Sequence, residues 1–225
     1  MAGGPAGRAT AEGQLYGSTT ENGKPCRGAT GRAPTRRSTA SSPAPPPVRM
    51  AGPRAGRNAG MFDDLLEANR RYQEAYQDTG LTGVARRELV VLTCIDSRID
   101  PLAMLGLAPG DAKIIRNAGA RVTDDALRSL ILATNLLRAR RICVVPHTDC
   151  AMTGRTEAET RAKVSAARGV DAIGWEFLST TDQLATLRRD LARIRECELI
   201  PPDVELGAFI FDVHTGALEP VAVDD

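Results

Sequence analysis

Beyond residue 60 the apolar positions of the chain alternate between two periods. Phe62, Leu65, Leu66, Asn69 and Tyr72 recur at helical spacing, which predicts an amphipathic helix over 61–77. The run Glu88-Leu-Val-Val-Leu-Thr-Cys94 is continuous, apolar and β-branched, as in a strand buried on both faces of a parallel sheet. Lys113-Ile-Ile-Arg116 is a shorter strand candidate, closed by Asn117-Ala-Gly119. Thr123 can cap a helix whose first turn carries Asp124 and Asp125, and Leu127, Leu130, Ile131, Thr134 and Leu137 continue it. Arg141-Ile-Cys-Val-Val-Pro146 is the next strand. Leu184, Leu187, Leu191 and Ile194 mark a late helix that stops before Pro201-Pro202. Leu206–Val213 and Ala217–Val223 flank His214-Thr-Gly216 as a hairpin. Strands alternating with helices predict an α/β fold: a mostly parallel sheet flanked by helices, with an antiparallel C-terminal edge element.

The first 60 residues lack this patterning. They hold 11 of the 21 glycines and 8 of the 14 prolines, with only Leu15 and Val48 as large aliphatics. Such a segment buries too little apolar surface to offset its ordering entropy, so 1–60 is expected to be a disordered Gly/Pro/Arg-rich extension. It could be a flexible tail, a transit peptide (opposed by the Gly and Pro content), or the product of a mis-called start, with translation beginning at Met50 or Met61. Residues 61–225 are long enough for one domain with a sizeable core.

Charge sharpens the division. The whole chain balances 29 Lys and Arg against 28 Asp and Glu. Residues 1–60 contain nine basic and two acidic residues, so the remainder is net acidic. A nearly neutral chain with an acidic domain is not expected to bind nucleic acid. No run of 18 apolar residues occurs, so no membrane-spanning helix is expected. Cys26, Cys94, Cys143, Cys150 and Cys197 are too few and scattered for a disulfide scaffold. With no secretory h-region, they point to a reducing, cytoplasmic setting in which cysteines bind metal or catalyse.

Two motifs stand at the carboxyl ends of predicted parallel strands, where ligands of open α/β sheets bind. They are Cys94-Ile-Asp-Ser-Arg98 and His147-Thr-Asp-Cys150. Two thiolates and one imidazole suit Zn²⁺, and three protein ligands leave its fourth tetrahedral position open. A closed structural site would instead fill four positions from paired short spacings, which are missing near Cys94. Asp96 either occupies the fourth position or stands beside it and accepts a hydrogen bond from bound water. Arg98 is placed to hold Asp96 ionised and off the metal through a bidentate pair. Cys143 reads as core, Cys197 and Trp175 as packing, His214 as a surface residue. Asp149, between His147 and Cys150, is expected to face away or bond locally.

Cys-x-Asp-x-Arg followed some 50 residues later by His-x-x-Cys resembles the β-class carbonic anhydrases. Arg116-Asn-Ala-Gly119 is similar to that family's intervening loop, and the C-terminal Gly-Ala-Phe-Ile-Phe-Asp-Val-x-Thr-Gly-x-Leu is similar as well. The resemblance spans about 61–225. It implies reversible hydration of CO₂ to bicarbonate by a zinc-bound hydroxide, with one Zn²⁺ per chain held by Cys94, His147 and Cys150. It implies Asp96 and Arg98 as the catalytic pair, Asp96 as a fourth ligand in a closed form, and Asn117, Gly119 and Ala151 at the substrate. It also implies a homodimer or higher homo-oligomer, with the N-terminal helix packed on the partner. The chain departs from the family pattern at Ala151 (commonly Gly), at Pro146, and at Val91, where some members carry a regulatory Trp. Two alternatives stand beside CO₂ hydration: hydrolysis of a CO₂ analogue (CS₂ or COS), and a non-catalytic zinc-binding module closed by Asp96.

Overall fold

A computed structural model describes residues 60–222. The expectations for residues 1–59 and for Val223 lie outside these. Five strands form one sheet in the order β2-β1-β3-β4-β5. They are β1 (Leu89–Cys94), β2 (Ala112–Asn117), β3 (Arg141–Val145), β4 (Glu205–Phe211) and β5 (Leu218–Pro220). The pairs β1/β2, β1/β3 and β3/β4 are parallel, and β4/β5 is antiparallel. The helices are α1 (Asp63–Ala75), α2 (Asp124–Leu136), α3 (Glu157–Arg168) and α4 (Gln183–Arg195). The α/β architecture with an antiparallel C-terminal edge is thus the one the periodicity predicts.

The strands form where β-branched and aliphatic residues run together, because both faces of the sheet are covered. On one face Val90, Leu92, Ile142, Val144 and Ala208 meet Leu127 and Leu130 of α2 and Leu187, Leu191 and Ile194 of α4. On the other, Val91, Cys143, Val145 and Phe211 meet Ile99, Cys150, Met104 and Met152, which come from the loops following β1 and β3. Thr123 caps α2 by accepting from the Ala126 N–H, as its sequence position requires.

α3 has no counterpart in the hydrophobic pattern, because none of its residues is buried. Its signal was the capping box instead. Thr156 accepts from the Glu159 N–H while the Glu159 carboxylate takes the Thr156 N–H. α1 is amphipathic yet buries nothing: Phe62, Leu65, Leu66 and Tyr72 are all exposed. Trp175 is 69% exposed, which corrects the expectation that it packs; its segment between α3 and α4 lies on the surface. Among the described residues no helix is long and apolar enough to cross a membrane.

Candidate metal centre

The parallel register brings three strand ends together. Leu89↔Ala112 and Leu89↔Arg141 align β1 with both neighbours, so Cys94 lies opposite Asn117 and next to the end of β3. The buried Thr93 hydroxyl donates to the Val145 carbonyl at 2.8 Å, locking β1 to β3 just before both chains enter the site. Beyond Pro146, which has no N–H to offer a ladder, pairing passes to β4. The Phe211 N–H donates to Pro146 O and the Thr148 N–H to Phe211 O, each at 2.9 Å. His147 is therefore held on both sides of its own backbone, and Gln183 of α4 adds a hydrogen bond to its carbonyl.

The ligand-bearing atoms of Cys94, His147 and Cys150 all lie within 4.8 Å of one another, and all three residues are buried. The Cys94 and Cys150 sulfurs stand 3.9 Å apart. Two sulfurs each about 2.3 Å from a tetrahedral zinc are about 3.8 Å apart, so the spacing fits the metal and is far too long for a disulfide. His147 supplies the second fit. Its Nδ1 lies 2.8 Å from the Thr148 carbonyl, which can only accept, so Nδ1 carries a proton. Its Nε2 is buried without a hydrogen-bond partner. An orphaned, fully buried ring nitrogen facing two sulfurs is the environment of a metal ligand.

Electrostatics within the trio are uneven. The Cys94 thiol is drawn well down: the Cys150 thiol donates to it, His147 lies beside it, and the Gly119 N–H points at it from 3.3 Å. Cys150 is pushed strongly upward, first by sharing its proton with Cys94 and then by burial. Burial opposes a charged His147, but the neighbouring Cys94 sulfur outweighs it and the ring sits above the ordinary imidazole value. The metal-free cluster thus holds protons that a cation would displace. Cys143 is a contrast: buried within β3, its thiol is raised to about 12 by desolvation, and it is inert core.

Arg98 lies over the mouth of this cluster. Its Nε and Nη2 donate to the two oxygens of Asp96, both at 2.9 Å, and its own N–H donates to the same carboxylate. That grip holds the Asp96 carboxyl far below the usual carboxylate range. Asp96 Oδ2 remains 3.8 Å from His147 Nε2, at the rim of the trio. Asp149 does not face away. Arg98 Nη1 donates to its carboxylate at 2.8 Å and Nη2 to its carbonyl at 3.0 Å, so one guanidinium ties the two motifs together. Asp149 adopts a positive φ of 52°, which an Asp tolerates better than most residues.

Arg116 is a functional neighbour that residue-type reasoning passed over. It donates to the Cys94 and Asp96 carbonyls at 2.8 and 2.6 Å, holding the first motif from β2. The Asn117 side chain brackets Arg121 by accepting its N–H and donating to its carbonyl. Gly119 needs its glycine: φ is +82°, and a Cβ would lie 3.3 Å from that of Met152. The loop is anchored from behind by the pair of half-buried Arg121 with buried Asp190 of α4, at 2.7 Å. Ala151 is exposed beside Cys150. Gly119, Pro146, Met152, Leu178, Gln183 and Asp190 line a narrow cleft on the Arg121–Asp190 side of this loop.

A parallel sheet that presents a thiolate–imidazole–thiolate set at its carboxyl ends defines a class of metal-dependent enzymes, and known proteins identify which. A carbonic anhydrase family profile matches residues 89–199. Beta-carbonic anhydrase 1 of Mycobacterium tuberculosis is 34% identical over 159 residues, covering 71% of this chain and 96% of the relative. A carbon disulfide hydrolase of Acidianus sp. is 32% identical over 185 residues, covering 70% and 89%. The crystal structure of carbonic anhydrase from Streptococcus mutans superposes with a TM-score of 0.68 at 37% identity, covering 72% of this chain and 98% of that one. The chain belongs to the β-carbonic anhydrase family, whose members are zinc enzymes, and its Cys94–His147–Cys150 cluster could hold a zinc ion.

Proposed function

We propose that the protein catalyses the reversible hydration of CO₂ to bicarbonate, with one Zn²⁺ held by Cys94, His147 and Cys150. The observation that carries this reading is the capture of both Asp96 oxygens by Arg98, beside a buried trio that has one unpartnered nitrogen. Bound zinc would act as a Lewis acid, lowering the pKa of a water so that hydroxide is available to carbon near neutral pH. The protein residues do the rest. His147 is fixed in one tautomer by Thr148, so its Nε2 lone pair faces the metal position. The Gly119 N–H stabilises charge on the Cys94 sulfur. Asp96, kept ionised by Arg98, is an acceptor that orients a water proton at the rim, and the same pair keeps the carboxylate off the fourth position. Asn117 and Gly119 shape the loop facing substrate, and Ala151 adjoins it after Cys150.

The bared apolar side of α1 supports a homodimer or higher homo-oligomer, in which Phe62, Leu65 and Leu66 pack on a second copy. The likeness to the Acidianus hydrolase supports a second reading, in which CS₂ or COS replaces CO₂ at the same residues. A non-catalytic module closed by Asp96 is disfavoured by the Arg98 grip.

Stopped-flow CO₂ hydration between about pH 7 and 9, with metal analysis, tests the proposal. Zinc at one per chain with turnover that rises with pH is expected, and Asp96→Ala should lower turnover without losing zinc. Full zinc occupancy with no CO₂ turnover overturns CO₂ hydration. Sulfide release from CS₂ under those conditions would then establish the second reading.

A further inference from the structure

α4 carries two adjoining stripes. Leu187, Leu191 and Ile194 enter the aliphatic core. Gln183, Thr186, Asp190 and Arg193, three or four residues apart, form a polar stripe beside them. Each member of that stripe is tied to the segments around the metal trio. The Gln183 amide donates to the His147 carbonyl at 2.9 Å. The Thr186 and Thr180 hydroxyls are 2.8 Å apart, and the Thr180 N–H donates at 2.9 Å to the carbonyl of Met152, two residues past Cys150. Asp190 accepts Arg121 Nε at 2.7 Å on one oxygen and Nη2 at 3.2 Å on the other, and also takes the Val122 N–H at 3.3 Å. Arg193 donates to the Val122 carbonyl at 2.6 Å. The loop clamped in this way is the one whose Gly119 N–H lies 3.3 Å from the Cys94 sulfur. One helix face thus reaches His147 directly, and Cys150 and Cys94 through one segment each.

From this convergence we infer that the polar stripe of α4 is the positioning element of the metal trio, with Asp190 acting on Cys94 through Arg121 and the Gly119 N–H. The inference rests on Cys94, His147 and Cys150 being the zinc ligands, whichever substrate is turned over. Packing alone gives the stripe little use. A buried carboxylate is costly to desolvate, and replacing a buried ion pair by apolar residues of similar volume is often neutral or stabilising. The Arg121–Asp190 pair instead holds a backbone that would not hold itself. Gly119 and Ala120 take consecutive positive φ values of 82° and 56°, and an alanine keeps that conformation only where its surroundings impose it. Two constraints impose it here. The Asn117 side chain brackets the Arg121 backbone within the loop, and Asp190 holds Arg121 and Val122 from α4. The Gly119 N–H is thereby aimed at the Cys94 sulfur. Gln183 does the equivalent for His147: it fixes the peptide that leads to Thr148, whose carbonyl orients the ring.

Cobalt(II) in place of zinc provides a readout other than turnover, because thiolate ligands give it a charge-transfer absorption in the near ultraviolet. The full chain is loaded with cobalt as wild type, Asp190→Asn, Gln183→Leu, Leu130→Ala and the double variant Arg121→Met/Asp190→Leu, which removes the clamp but keeps the space filled and apolar. In the double variant the band should move to longer wavelength, since a sulfur without its N–H donor gives up an electron more readily. Release of the metal to a chelator should be at least about tenfold faster. Asp190→Asn keeps an acceptor for the Val122 N–H and should show both changes to a smaller extent. Gln183→Leu acts on His147, so it should speed release and leave the band in place. Leu130→Ala, weakened only in the aliphatic core, should keep the wild-type band and release rate. A stripe that merely fastened α4 to the sheet would make its variants behave like Leu130→Ala, less stable with unchanged band and release, and that result overturns the inference. Should the double variant fail to fold, Asp190→Asn and Gln183→Leu decide by the same criteria. A wild type that takes up neither cobalt nor zinc would overturn the metal-site reading and this inference together. A loaded wild type with indifferent variants would overturn this inference alone.

Discussion

The two faces of the sheet have different cores. The face under α2 and α4 is aliphatic and is closed by Leu127, Leu130, Leu187, Leu191 and Ile194. The opposite face holds Cys94, Cys143 and Cys150 among its apolar residues and is closed by the loops after β1 and β3. A helix-covered face needs only volume and shape. A loop-covered face must also satisfy backbone and charge, which it does with Arg98 crossing from one loop to the other and Arg116 reaching over from β2. Stability and chemistry are therefore carried on opposite sides of one sheet, and the two can be perturbed separately.

The largest effect should come from the trio itself. Cys94→Ser or His147→Ala should abolish zinc binding in metal analysis and lower CO₂ turnover by about three orders of magnitude or more. Chelating the metal from wild type should do the same, while the far-UV circular dichroism of α2 and α4 persists. Loss of that signal on chelation would mean the faces fold as one metal-dependent unit. Next, Leu130→Ala, at a fully buried position of the aliphatic face, should cost about 2–5 kcal/mol in denaturant unfolding. Zinc content and turnover per folded molecule should be unchanged, since Leu130 belongs to the aliphatic cluster and Cys94 and Cys150 to the one on the other face.

A smaller change is expected from Arg98→Ala, which frees Asp96 and Asp149 at once. Activity should fall about 10–100-fold with zinc retained at one per chain, as for loss of an outer-shell partner. The smallest effect is set by acid. Asp96 and Asp149 both have carboxyls held below the ordinary range, in each case chiefly by hydrogen bonds from Arg98. The native state therefore binds fewer protons than the unfolded one, so their contribution is present above about pH 4 and is lost as the pH falls through the depressed native values. Hydrogen exchange at pH 3 should show the loops at 95–99 and 147–151 opening before the amides of α2. Equal protection on both faces would remove the distinction.

Much of this was legible in the residues. Continuous runs such as Val90–Cys94 and Ile142–Val145 marked strands buried on both faces, and Thr123 with its following acids marked the start of α2 to the residue. Spacing also placed Cys94, Asp96, Arg98, His147 and Cys150 at strand ends. α3 escaped because a surface helix buries no stripe, leaving only its capping box to read. Asp149 escaped because a residue between two candidate ligands has no orientation in sequence. Its positive φ turns it towards Arg98, a partner 51 residues away. Arg116 and the Arg121–Asp190 anchor escaped for the same reason, since their partners lie across the fold.

Local pattern alone thus determined which segments become strands and helices and which side chains have ligand chemistry. Those are properties of short stretches, set by side-chain period, capping and donor type. The register of three parallel strands decided the rest. It set the 3.9 Å sulfur separation, left Nε2 of His147 without a partner, and brought Arg98 to Asp149. Each of these is a distance between residues far apart in sequence, and only long-range packing sets such distances.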